Sequence, residues 1–66
     1  MEIILNGEKT DIENNLSLAV LLTKLGFEKQ PLAVEVNGLV IKKQNHAATH
    51  LHEGDRLEIV GFVGGG

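Results

Sequence analysis

The chain has no cysteine, no tryptophan and no tyrosine, a single proline, and no long apolar run. Without cysteine there is no disulfide, no thiol nucleophile and no cysteine-ligated zinc or iron–sulfur centre. The absence fits a reducing compartment without requiring one. Phe27 and Phe62 are the two aromatic residues and the formal charge is −3. With neither a basic patch nor a platform on which bases could stack, nucleic acid is a poor partner. The longest apolar stretch, Leu18 to Leu22, is far too short to span a bilayer. The opening Met1-Glu2-Ile3-Ile4-Leu5 lacks the basic region and long apolar segment of a signal peptide. A soluble, cytoplasmic protein with no membrane partner is expected.

What is present suits one small domain. The chain is 66 residues long, and a domain of that size buries only about 60% of the surface its unfolded form exposes. A hydrophobic fraction of 42% is nevertheless normal for a globular protein, so a packed core is expected and wholesale disorder is not.

The apolar run Ile3-Ile4-Leu5 meets Asn6-Gly7, a pair suited to the positive backbone angles of a tight hairpin turn. The polar return, Glu8 to Ile12, reads as an edge strand whose charges discourage further pairing. Ser17 is placed to cap a helix, with Leu16 and Leu21 spaced as a hydrophobic staple. Leu18, Leu21, Leu22 and Leu25 share one helical face, and Gly26 follows as a left-handed terminator, so a helix over 18–25 is predicted. Pro31 ends the next connection. Residues 33–37 alternate as a strand, Gly38 completes a second Asn-Gly turn, and residues 39–41 form a short strand. The polar segment 42–52 reads as a loop with a turn or two of helix. Glu53-Gly54-Asp55 then turns into a closing strand that begins at Arg56 and runs to Val63.

One leucine-faced helix between a hairpin and later strands implies an α+β fold, a mixed sheet of four to five strands with the helix packed across it. That architecture is the ubiquitin-like β-grasp. The closing strand and the first strand suit its middle. The expected core is Ile3 or Ile4 with Leu5, Leu16, Leu21, Leu22, Leu25, Val34, Val36, Leu57 and Ile59. Since Leu57 and Ile59 share one strand face, Val60 and Phe62 point the other way. With Val63 they form a candidate partner-docking patch. The alternative for Phe62 is that it covers the rim of the sheet.

Candidate catalytic chemistry is weak. His46 and His50 are four apart, as helical zinc ligands often are, but no Glu follows His46 and residues 47–49 supply no ligand. His46, His50 and His52 therefore read as polar surface residues, with no metal site. Ser17 is used as a cap, and Glu53 and Asp55 flank a glycine as turn residues rather than as an acid–base pair. No bound cofactor and no catalytic residue are expected.

The terminus is different. A strand pattern runs into Gly64-Gly65-Gly66, and glycine is the thinnest and most adaptable peptide unit. Residues 1–62 form the domain, and 63–66 a flexible tail that can thread a narrow channel. The bland alternative is a frayed end or an expression scar. A terminal carboxylate on Gly66 is ionised at neutral pH and resists attack until activated. Adenylyl transfer from ATP would give an acyl adenylate, and a sulfur nucleophile displacing AMP would leave a thiocarboxylate. An amine or thiol displacing it would give a conjugated modifier instead. Four extended residues from Val63 reach about 13 Å, enough to enter a partner's cleft.

Several stretches together resemble the ThiS family, small β-grasp sulfur carriers of thiamine thiazole biosynthesis. They are residues 1–7, Leu16-Ser17-Leu18-Ala19-Val20-Leu21-Leu22, Val34-Glu35-Val36-Asn37-Gly38, and the turn and strand 53–60 closing in Val63-Gly64-Gly65-Gly66. The resemblance implies adenylation and thiocarboxylation of Gly66 by a ThiF-like adenylyltransferase that uses ATP. It also implies a sulfur-donating protein and delivery to a ThiG-like thiazole synthase, with Gly64 and Gly65 threading the partner's active site. The similar small subunit of molybdopterin synthase, whose members tend to be longer, is the nearest alternative. A protein-conjugating modifier and an inert interaction module follow. Replacing Gly65 with a bulky residue is expected to block threading, and trimming Gly66 to abolish function. Both are read as loss of charging by intact mass after incubation with ATP, a sulfide source and the activating enzyme.

Overall fold

The computed structural model describes residues 1–27, 29–30 and 32–61. Strand β1 (Glu2–Leu5) turns back into β2 (Glu8–Asp11), and helix α1 (Leu18–Lys24) follows. Strands β3 (Leu32–Val36) and β4 (Leu39–Val40), a short 3₁₀ turn at Lys43–Asn45 and the closing strand β5 (Arg56–Gly61) complete the order. The sheet runs β2-β1-β5-β3-β4. β1 and β5 are parallel, and the other neighbours are antiparallel. The expected β-grasp is therefore present, with β5 central and polar β2 at one edge.

Both Asn-Gly turns have the positive angles their sequence requires: φ is 49° and 85° at Asn6-Gly7, and 52° and 83° at Asn37-Gly38. Their asparagines have a second task that local reading does not disclose. β1 stops at Leu5, level with Leu57 of β5. The backbone N–H of Ile59 beyond it donates to Asn6 Oδ1 at 2.8 Å, so a side chain continues the ladder where the neighbouring strand has left. At the start of β5, the Arg56 N–H donates to Asn37 Oδ1 at 3.0 Å, and Asn37 Nδ2 donates to Asp55 Oδ1 at 3.0 Å. Asp55 Oδ2 accepts the His52 N–H at 2.8 Å, which closes the turn.

The helix is only seven residues long, too short to persist alone, and both ends are tied. Its first three amides go to Thr49 O at 2.7 Å from Leu18, His46 O at 3.2 Å from Ala19, and Ser17 Oγ at 3.2 Å from Val20. The expected Ser17 cap thus holds, and the loop after β4 supplies the other two acceptors. At the far end Gly26, at φ 82°, donates to Thr23 O and Phe27 N–H to Leu22 O, the paired bonds of a Schellman terminus. Outside the helix face, exposed Lys24 Nζ lies 2.8 Å from Glu13 Oε1. Its hydrogen bond and charge hold the Glu13 carboxyl below its ordinary value.

The core comprises Ile3, Leu16, Leu18, Leu21, Leu22, Val34, Leu51, Leu57 and Ile59. Ile3 takes the inward position, not Ile4, while Leu5 and Val36 are half-buried at its margin. Two expectations need correction. Leu25 is the C-cap and 38% exposed, because the helix ends before its face can press it onto the sheet. His46 is buried rather than superficial, with Nε2 3.0 Å from the Ile41 carbonyl. A carbonyl only accepts, so Nε2 carries the proton. Among the described residues, no helix is long and apolar enough to cross a membrane.

Removing the Asn6 side chain without straining the turn, by Asn6→Gly, leaves the Ile59 amide without its acceptor. The expected loss is about 1–3 kcal/mol, read from the urea midpoint. Asn6→Asp, which retains an acceptor oxygen, is expected to lose much less.

Candidate functional site

The candidate site is built on the end of β5. Along this strand Leu57 and Ile59 are buried while Arg56, Glu58 and Val60 are exposed, the alternation of a strand with one face on a core. Val60 therefore lies on the outer face, as expected, and is 57% exposed. Its register partner on β3 is Ala33. One step back, Glu58 faces Glu35, and Glu35 in turn faces the exposed Val40 of β4. On the outer face Val60 and Ala33 thus form one row, and Glu58, Glu35 and Val40 form the next. Ala33 and Val40 were not singled out from sequence, because a short strand carries no sign of its register. The remaining predicted site residues, Phe62, Val63, Gly64, Gly65 and Gly66, lie outside the described residues.

The last two residues of β5 are held differently from the rest. Val60 and Gly61 pair with Ala33 and Leu32 of β3, whereas β1 has already ended at Leu5. Gly61 lies against the connection before β3: a Cβ there would stand 3.7 Å from Leu32 Cδ2 and 3.9 Å from Gln30 Oε1.

The histidines do not converge. His46 is in the core margin, His50 bridges to Ser17, and exposed His52 has Nδ1 3.8 Å from Asp55 Oδ2. Among the described residues there is no group of three or more His, Cys, Asp or Glu that could hold a metal ion. Glu53 Oε1 accepts the Glu2 N–H at 2.9 Å, and Asp55 is committed to its turn, so these carboxylates brace backbone. The described surface offers a strand end with Val60 exposed on its outer face. Such a feature suits docking rather than bond-making.

Comparison with known proteins agrees with this geometry. Residues 3–66 match the model of the ThiS family. The chain is 36% identical over its whole length to a thiazole synthase of Paramagnetospirillum magneticum and 42% identical to a thiazole synthase of Magnetococcus marinus. It spans 20% of the length of each of these proteins. The crystal structure of a thiamine biosynthesis protein (ThiS) from Geobacter metallireducens superposes with a TM-score of 0.86 at 30% identity, over 100% of both chains.

Neighbouring residues on opposite faces give a direct check on the orientation of β5. Val60→Thr is expected to change stability by no more than about 0.5 kcal/mol in chemical denaturation. Ile59→Thr, which buries a hydroxyl in the core, is expected to lose at least about 1–3 kcal/mol.

Proposed function

The chain belongs to the ThiS family of sulfur carriers, and from that premise we propose that it carries sulfur on the carboxyl group of Gly66 for the thiazole ring of thiamine. The observation that carries the reading is the family match running through residue 66, joined to a sheet whose central strand leads to that segment. In this reading the chain is a substrate of partner enzymes and not a catalyst.

The chemistry proceeds in two exchanges. A Gly66 carboxylate oxygen attacks the α-phosphorus of ATP in a ThiF-like adenylyltransferase, forming an acyl adenylate and releasing pyrophosphate. A sulfur nucleophile from a sulfur-donating protein then attacks the acyl carbon and AMP leaves. With that sulfur presented as a persulfide, the product is an acyl disulfide, and a thiol attacking its donor-side sulfur displaces the thiocarboxylate while the donor and the thiol form a disulfide. ATP is thus a co-substrate of the partner, and no cofactor resides in the carrier. Glycines at 64 and 65 let the chain enter a cleft that a side chain would obstruct. Val60, Phe62 and Val63 supply the apolar contact that seats the domain while the terminus reacts. The likeness to thiazole synthases supports a ThiG-like acceptor over a pterin-forming one. Such a carrier works in the cytoplasm.

Incubation of the intact protein with ATP, a sulfide source and the cognate adenylyltransferase is expected to yield the mass gain of one oxygen-to-sulfur exchange, localised to the C-terminal peptide. An unchanged mass would contradict the carrier reading, and covalent adducts to other proteins would support a conjugating modifier. Val60→Glu is expected to weaken binding to the adenylyltransferase, measured by calorimetry, while the domain stays folded.

A further inference from the structure

On the helix side of the sheet, away from the Val60 patch, lies a cavity of about 610 Å³, within the size range of ligand pockets. Its walls include buried Leu22 and half-buried Phe27 and Leu32, brought together by the Schellman terminus of α1 and the start of β3. Exposed Lys29 and Lys43 also line it, and none of its described lining residues is acidic. That charge distribution runs against the composition of the chain, which has nine acidic residues and six basic ones. Of the other cations, Lys24 is already paired with Glu13. An apolar hollow edged by two exposed ammonium groups, with no acidic residue among its described lining, favours an anionic group at its rim. It is complementary to an apolar side chain accompanied by carboxylates.

The position of the cavity points to the kind of molecule that bears those groups. Leu32 and Gln30 both line it, and both approach Gly61 at the end of β5. An occupant of the cavity therefore sits beside the root of the C-terminal segment, where a protein receiving that segment must approach. We propose that this cavity is a second docking site, which receives a segment of a partner protein presenting an aliphatic or aromatic side chain between carboxylates. The choice of a protein over a small molecule rests on the carrier reading. The site lies across the sheet from Val60, so a partner holding it leaves the outer face open to another.

The test uses the full-length, ¹⁵N-labelled chain and two blocked peptides, acetyl-Asp-Leu-Phe-Asp-amide and acetyl-Lys-Leu-Phe-Lys-amide. The acidic peptide is expected to shift the amide signals of Ala19, Thr23, Phe27, Gln30 and Ala47, leave Val60 and Val40 unmoved, and bind more weakly as salt is raised. Binding is expected to fall about tenfold for the basic peptide and for the double variant Lys29→Glu/Lys43→Glu. Both lysines are exposed, and an otherwise unchanged spectrum verifies that the variant is folded. No shift at these amides, equal binding of the two peptides, or shifts confined to the Val60 face would overturn the proposal. So would movement of the cavity signals on dilution without peptide, which would assign the hollow to a second copy of the chain. The assay contains no ATP or sulfur source, so its failure leaves the carrier reading standing.

Discussion

The structure depends on holding β5 in the middle of the sheet. This strand comes last in the chain, yet it separates the two hairpins, β1–β2 on one side and β3–β4 on the other. Without it they have no common hydrogen-bonded partner, and the helix has no continuous surface to cover. Leu57 and Ile59 give it a buried face. The asparagines of the two turns bind its backbone from opposite sides, at Arg56 and at Ile59. These contacts link residues 19 and 53 positions apart. The two halves of so small a domain are thereby joined through polar bonds as well as through the core.

The helix shows a similar economy. Seven residues bury three leucines, Leu18, Leu21 and Leu22, but the first turn would leave amides unsatisfied if Ser17 were its only cap. The segment from His46 to Thr49 lends two backbone carbonyls. Leu51 then drops into the core just beyond, its N–H bonded to Leu16 O at 2.9 Å. The polar segment 42–52 is therefore structural along much of its length. Buried His46, bonded to Ile41 O, fixes its path.

This explains which parts were legible in the sequence. The turns at Asn6-Gly7 and Asn37-Gly38, the Ser17 cap and the Gly26 terminator each rest on chemistry local to a few residues. The leucine spacing and the alternation along β5 report burial directly, so the order of elements and the outward face of Val60 could be read. Leu51 and His46 could not, since a loop without periodicity gives no sign of facing inward. Nor could the roles of the Asn6 and Asn37 side chains, which require knowing that β5 passes beside both turns. Leu25 failed for the opposite reason: it obeys the helical repeat, but the helix stops at Lys24. As for the candidate site, its chemistry was read from the terminal glycines, while the neighbours of Val60 emerged only with the register of β3 and β4.

The early end of β1 has a consequence for motion. Beyond Ile59, which Asn6 secures, Val60 and Gly61 have β3 as their sole flanking strand among the described elements. Opening there costs one ladder instead of two, so these amides should exchange with solvent before those of Leu57 and Ile59. The Asn6 contact acts as a firebreak: the strand tip can loosen to accommodate a visitor while melting is halted at Ile59, the last core residue of the strand.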